Sequence, residues 1–203
     1  MERPECGSAE GINQPTSALL TIYTPTFNRA VLLLRVYNSL LRQTSKDFLW
    51  LIVDDGSTDD THALVEEWIK NDNGFEIHYE YKVNEGVHSA RNLAYRLCKT
   101  RLILGIDSDD WLANDAVETI IDVWKRHEGK GNFAGIIAKC ISSSGEAISA
   151  NWPSQTKYAS LQDFVYRYKC TSDRSTVMRT DIIQAVEPAP VFPGEKLVGE
   201  DYQ

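Results

Sequence analysis

Between Ala18 and Arg126, short apolar runs alternate about four times with segments of helical period, and that rhythm leaves few folds open. Leu19-Leu-Thr-Ile-Tyr23 reads as a strand halted by Pro25. Ala30 to Gln43 reads as a helix, with Leu33, Val36, Tyr37, Leu40 and Leu41 on its apolar face. Phe48 to Val53, Glu76 to Tyr81 and Arg101 to Ile106 read as further strands. Asp60 to Ile69, Ser89 to Leu97 and Asn114 or Asp115 to Arg126 read as helices, with Asp60 or Thr61, and Asn114 or Asp115, as N-caps. Such alternation dictates parallel strands joined by right-handed crossovers, with helices on both sheet faces. The expected class is therefore α/β, a Rossmann-like, mostly parallel sheet in three α/β/α layers. Past Phe133 to Ala138 the regularity fades. Lys139 to Ser160 is polar and irregular, Leu161 to Tyr168 reads as a helix, Ser175 to Met178 as a strand, and Pro188 to Gly199 as loop.

Residues 1–17 are polar and rich in Gly, Ser and Pro and read as a flexible leader, leaving 18–203 as a single domain. The 29 acidic against 21 basic side chains give a net charge of −8, which speaks against nucleic acid as a partner. No apolar run approaches the roughly 20 residues that span a bilayer, and the opening residues lack the apolar core of a signal peptide. Cys6, Cys98, Cys140 and Cys170 are widely spaced, a pattern of reduced thiols and not of a zinc site. The expected location is cytoplasmic, at most at the inner face of the cell membrane through segments beyond this chain.

In an open parallel sheet, ligands bind outside the carboxyl ends of the strands. The segments that follow the four strands are Thr24-Pro-Thr-Phe-Asn-Arg29, Asp54-Asp-Gly-Ser-Thr58, Asn84 to Asn92 and Asp107-Ser-Asp-Asp110. They bring together an aromatic ring, two arginines, two glycines and five aspartates, a set that suits a nucleoside diphosphate. In an extended segment Asp107 and Asp109 share a face, and two such carboxylates repel until a hard cation, Mg²⁺ or Mn²⁺, lies between them. Acidic clusters at strand ends also serve as turns and N-caps, a reading that fits Asp110 and Asp115. One carboxylate of Asp54 and Asp55 can accept a ring N–H from uracil or guanine, or can simply close a turn at Gly56. Phe27 is either core or a platform for the base. Arg29 carries a fork matched to phosphate or a base edge, and Arg91 is either a rim cation or an ordinary solvated helix residue. His88 reads as a rim or partly buried histidine, and Trp50 and Trp111 as core.

The ordered set of Thr24-Pro-Thr-Phe-Asn-Arg29, Gln43-Thr44, Val53-Asp-Asp-Gly-Ser-Thr58, Asn84-x-Gly86 with Ala90-Arg91-Asn92, and Asp107-Ser-Asp-Asp110 resembles the family-two, A-type-fold inverting glycosyltransferases. That group includes many bacterial polysaccharide-building enzymes, and the resemblance runs from about Leu19 to the end. It implies that Pro25, Phe27, Arg29 and Asp55 or Asp54 hold the nucleoside. It implies that Asn84, Gly86, Arg91 and Ser108 lie along the sugar and diphosphate, and that Asp107 and Asp109 hold Mn²⁺ or Mg²⁺. Gly199-Glu-Asp201 looks like the family's acceptor-side segment, which makes Asp201, with Glu200 as the alternative, the general base. Residues 18–127 then form a nucleotide-sugar half and 128–203 an acceptor half, truncated where the family continues. The implied partners are a nucleotide-sugar donor and a saccharide or lipid-linked saccharide acceptor.

The chemistry asks for a cation and N–H donors at the leaving diphosphate, and a carboxylate for the acceptor hydroxyl's proton. Inversion comes from the resemblance alone. A nucleotidyltransferase would carry a Gly-rich loop after the first strand, where this chain has none. An aspartyl-nucleophile phosphatase would end that strand in an acid, where this one has Thr24. A sugar-nucleotide-binding partner without activity is the remaining alternative.

Overall fold

The computed structural model describes residues 17–130, 133–142, 144–148, 158–170 and 173–191. β1 (Leu20–Thr26) and β2 (Phe48–Asp54) are buried at every position, as strands covered on both faces must be. With β3 (Glu76–Tyr81), β4 (Leu102–Gly105), β5 (Gly135–Lys139) and β6 (Arg174–Arg179) they form one sheet in the order β3-β2-β1-β4-β6-β5. The β3, β2, β1 and β4 neighbours pair in parallel. β6 runs antiparallel to β4, and β5 antiparallel to β6, so the second half of the chain closes the sheet with a mixed edge.

Strand alternation sorts the core into two layers. Leu20, Ile22, Phe48, Trp50, Ile52, Leu102 and Leu104 face α1 (Ala30–Leu41), α2 (Thr61–Ile69) and α4 (Ala116–His127). Tyr23, Leu49, Leu51, Val53 and Ile103 face α3 (Val87–Leu97), with Met178 of β6 and Ile183 of α5 (Thr180–Gln184) packed alongside. The three-layer expectation holds. Trp50 is fully buried, stacks within 5.7 Å of Trp68, and donates its indole N–H to Thr24 Oγ1 at 3.0 Å. Trp111 is not core: it is 38% exposed and lies under the Arg35 guanidinium, 5.4 Å from the ring centre.

Pro25 does not halt the first strand. In a parallel ladder alternate residues turn to the same neighbour, and Tyr23 accepts the Ile106 N–H on the β4 side. Pro25 turns to that side too, beyond the last β1–β4 pair, Tyr23 with Gly105. Its missing N–H therefore removes no ladder bond, and β1 continues to Thr26 alongside β2. Leu161 to Tyr168 is helical as expected over residues 161–167, with a π-helical turn at Asp163–Arg167.

The helix caps are not where residue type alone places them. Asp60 and Asp115 occupy N-cap positions without a side-chain cap bond. α4 is capped from a distance by Gln43, whose Oε1 accepts the Val117 N–H at 3.1 Å while its Nε2 donates to Ala113 O at 2.8 Å. Asp59 serves two helices. Its Oδ1 accepts the Thr61 N–H at 3.1 Å and the Thr61 hydroxyl at 2.6 Å, and its Oδ2 accepts the Ala30 N–H at 3.1 Å. Burial pushes the Asp59 carboxyl up, but the bonds from Thr61 and Ala30 outweigh it and hold the group below its ordinary value.

Asp59→Ala should therefore cost about 1–2 kcal/mol in urea unfolding at pH 7, the scale of a lost cap. Because the folded carboxyl is held down, this contribution is complete above the unfolded value of about 3.9 and fades as pH falls through the folded one. The gap between wild type and variant should thus narrow in acid. A gap that stays the same at low pH, or is absent at pH 7, would contradict the double-cap role.

Candidate active site

At the carboxyl ends of the central strands, a cavity of about 170 Å³ opens where the strand order switches from β1 to β4. Pro25, Thr26, Phe27 and Arg29 line it from β1 and the turn after it, and Asp55 from the end of β2. Val87 and Arg91 contribute from the first turns of α3, and Asp107, Ser108 and Asp109 from the segment after β4. Seven of the predicted site residues therefore share one wall with the predicted metal aspartate Asp109. Phe27 belongs to the cavity and to neither core layer.

Asp54 and Asp55 are both buried but face different surroundings. Asp54 closes the turn: its Oδ1 accepts the Ser57 N–H at 2.7 Å and its Oδ2 the Tyr79 hydroxyl at 2.6 Å. Burial, and then that bond to Asp54, push the Tyr79 phenol far above its ordinary value. Asp55 lies against the cavity. Its Oδ1 accepts from Lys82 Nζ at 2.7 Å and the Glu85 N–H at 3.0 Å, and its Oδ2 accepts the Gly86 N–H at 2.7 Å.

Two glycines let these loops close on each other. Gly56 has φ +90°, and a Cβ there would stand 2.9 Å from the Asn84 backbone nitrogen. Gly86, at φ +97°, precedes α3, and a Cβ there would meet His88 Cε1 at 2.9 Å. Asn84 and Gly86 do not line the cavity themselves; they form the turn that delivers the N–H groups to Asp55. Among the described residues, buried Thr26 Oγ1, Asn84 Oδ1 and both His88 ring nitrogens find no hydrogen-bond partner.

The Asp107 to Asp110 segment is a turn, closed by the Asp110 N–H on Asp107 O at 3.1 Å, and not the extended stretch that the i, i+2 argument assumes. Asp107 and Asp109 nevertheless both reach the cavity. Arg91 NH2 lies 3.3 Å from Asp107 Oδ1, and Arg29 NH1 lies 3.3 Å from Asp109 Oδ2 and from Ser108 Oγ. Burial, and then the negative charge of Asp107 and Asp109, push the Asp110 carboxyl above its ordinary value. Carboxylate charge is therefore concentrated here. Among the described residues no group of three or more His, Cys, Asp and Glu side chains is placed to hold a metal ion. A pair of oxygen donors fits Mg²⁺ or Mn²⁺, which complete their shells with phosphate oxygens and water.

Residue-type reasoning missed Thr26 and Val87, which line the cavity, and Asn28 and Lys82, which support it. Asn28, at φ +54°, takes up the Thr58 N–H at 2.7 Å and the Asp59 N–H at 3.3 Å on its Oδ1, while its own N–H donates to Ser57 Oγ at 2.8 Å. It thereby fastens the loop after β1 to the loop after β2; asparagine's tolerance of positive φ was the available signal. Lys82 had no motif around it. Glu200 and Asp201 lie outside the described residues. Among the described residues no helix is long and apolar enough to cross a membrane.

Three comparisons agree with this geometry. E. coli chondroitin synthase is 39% identical over 108 residues, 53% of this chain and 16% of the relative. The chain thus spans a small part of that protein's length. S. aureus TarS in complex with UDP-GlcNAc superposes with a TM-score of 0.65 at 20% identity, over 81% of this chain and 46% of that one. The mannosyltransferase PcManGT from Pyrobaculum calidifontis, in complex with GDP-Man and Mn²⁺, superposes with a TM-score of 0.60 at 16% identity, over 90% of this chain and 53% of that one. These likenesses identify the sheet and its helices as the A-type glycosyltransferase fold. The model of the family described as Glycosyl transferase family 2 matches residues 21–183, and the chain belongs to that family of sugar-transferring enzymes.

Proposed function

We propose that the cavity binds a nucleoside-diphosphate sugar, a UDP-sugar first, and that the chain transfers the sugar to a saccharide or lipid-linked saccharide hydroxyl by a single displacement with inversion. The observation that carries this reading is one cavity in which a base acceptor, an aromatic ring, two arginines and two aspartates converge at the switch between β1 and β4. The UDP-GlcNAc held by TarS and the GDP-Man and Mn²⁺ held by PcManGT support a nucleotide sugar there. The name of the E. coli relative supports a saccharide acceptor.

Each residue has a physical task in this reading. Phe27 offers a face for the base and Asp55 an acceptor for its ring N–H, with Pro25 beside them at the end of β1. Thr26 Oγ1 is a buried hydroxyl that the donor can satisfy. Arg29, Arg91 and Ser108 supply donors along the diphosphate, and the turn of Asn84 and Gly86 fixes the approach of α3. Asp107 and Asp109 would hold Mn²⁺ or Mg²⁺, which when bound neutralises charge on the departing diphosphate. Asp201, or Glu200, would take the acceptor hydroxyl's proton as the oxygen attacks the opposite face of the sugar.

Asp109→Ala should lower release of UDP from a UDP-sugar by about 100-fold or more, as several kcal/mol of charge stabilisation disappear. Its unfolding free energy should stay within about 0.5 kcal/mol of wild type, as for other exposed positions. Wild-type turnover in the variant would refute the metal-ligand role. Metal-dependent donor binding by wild type with no turnover of any sugar nucleotide would favour the inactive binding partner.

Asp201→Asn should lose roughly 10²–10⁴-fold in transfer while donor and Mn²⁺ affinity stay unchanged. Full transfer by an Asp201→Asn, Glu200→Gln double variant would remove both from the role of base.

A further inference from the structure

Lys82 does not line the cavity, yet its ammonium is committed in full. The Nζ donates to Asp55 Oδ1 at 2.7 Å, to Glu85 Oε2 at 2.9 Å and to the Val83 carbonyl at 2.6 Å. Three hydrogens meet three acceptors, so none remains for a ligand. The Lys82 side chain is 14% exposed and that of Asp55 only 3%. Asp55 in turn has three of its roughly four lone-pair positions filled, two on Oδ1 and one on Oδ2. What it presents to the cavity is a single acceptor position on Oδ2. Glu85 shares the ammonium, and Arg29, Arg91, Asp107 and Asp109 line the same cavity around it.

We propose that Lys82 is the positioning residue that sets base selectivity, by keeping Asp55 an acceptor only, so that the site takes a pyrimidine with a ring N–H and rejects one with a ring acceptor. This rests on the nucleotide reading of the cavity above. Uracil carries a hydrogen on N3 and can donate it to Oδ2. Cytosine carries a lone pair at the same atom, and two acceptors facing each other repel. The discrimination lasts only while the carboxylate stays paired. A buried carboxylate stripped of its cation takes up a proton in preference to standing charged and uncompensated. The neutral acid can then donate an O–H from Oδ2 to cytosine, or, with the proton on the Oδ1 position that Lys82 leaves, still accept the ring N–H of uracil. Lys82 thus acts on the ligand through Asp55 and touches no part of it.

The test is calorimetric titration of wild type and of Lys82→Met, Lys82→Gln and Lys82→Arg with UDP and CDP in the presence of Mn²⁺, with circular dichroism to check the fold. Wild type should favour UDP by about tenfold or more, the scale of one good base-edge contact. The two neutral variants should bring the two affinities within about threefold, chiefly by gaining CDP, and Lys82→Arg should keep the wild-type preference. A merely structural lysine would weaken both nucleotides alike and leave their ratio alone. Should Lys82→Met fail to fold, Lys82→Gln keeps a donor at the same place and carries the test. Neutral variants that retain the wild-type ratio, or a Lys82→Arg variant that loses it, would overturn the role of Lys82. Wild type that binds neither nucleotide would instead overturn the nucleotide reading on which it rests.

Discussion

A carboxylate at the end of β2 organises the rim of this molecule. Asp55 is 2% exposed, and a charge buried so deeply costs several kcal/mol unless it is paired and hydrogen-bonded. The groups that meet this need come from one segment, and a further strand end holds the Asp55 backbone. Its own N–H is held by Thr26 O at the end of β1, its carboxylate by Lys82, Glu85 and Gly86 between β3 and α3. Gly56 must be a glycine for that last segment to come close enough, since a Cβ would meet the Asn84 nitrogen. The relative placement of three strand ends thus follows from solvating one buried charge with protein in place of water. The cavity walls are the ends of β1 and β2, the first turns of α3 and the turn after β4.

The parallel half of the fold was plain in the sequence because its physics is local. A strand buried on both faces must be continuously apolar, as Phe48 to Val53 is, and the helices between must show one apolar stripe. What escaped local reasoning depended mostly on distant partners. Pro25 ends a strand by residue type but sits where β4 no longer pairs with β1. Asp60 and Asp115 look like caps, yet Asp59 and the remote Gln43 make those bonds. Trp111 looks like core but shelters under Arg35 at the surface. For Pro25, Asp115 and Trp111 the deciding fact is a remote neighbour or a strand that has run out, while Asp59 reaches Thr61 only two residues on.

The site was legible to a similar degree. Residues after the strands converge because parallel topology sends every strand end to the same rim, and that reasoning needs no side-chain detail. It located Phe27, Arg29, Asp55, Arg91, Asp107 and Asp109 on one cavity. It could not divide labour between the adjacent Asp54 and Asp55, because the difference lies in Tyr79 and Ser57 on one side and Lys82 and Gly86 on the other. Nor could it find Lys82, a lone lysine at a strand end whose importance comes wholly from the charge that it covers.

The central claim is that this rim cradles a nucleoside diphosphate through Asp55 at one end and the Asp107–Asp109 turn at the other. A crystal structure of the chain grown with UDP and Mn²⁺ tests it most directly. The account predicts uracil against Phe27 with its ring N–H on Asp55 Oδ2, and the ion between Asp109 and the diphosphate oxygens. A nucleotide bound away from this cavity, or a base seated here with Asp55 still separated from it by a full side chain, would contradict the account.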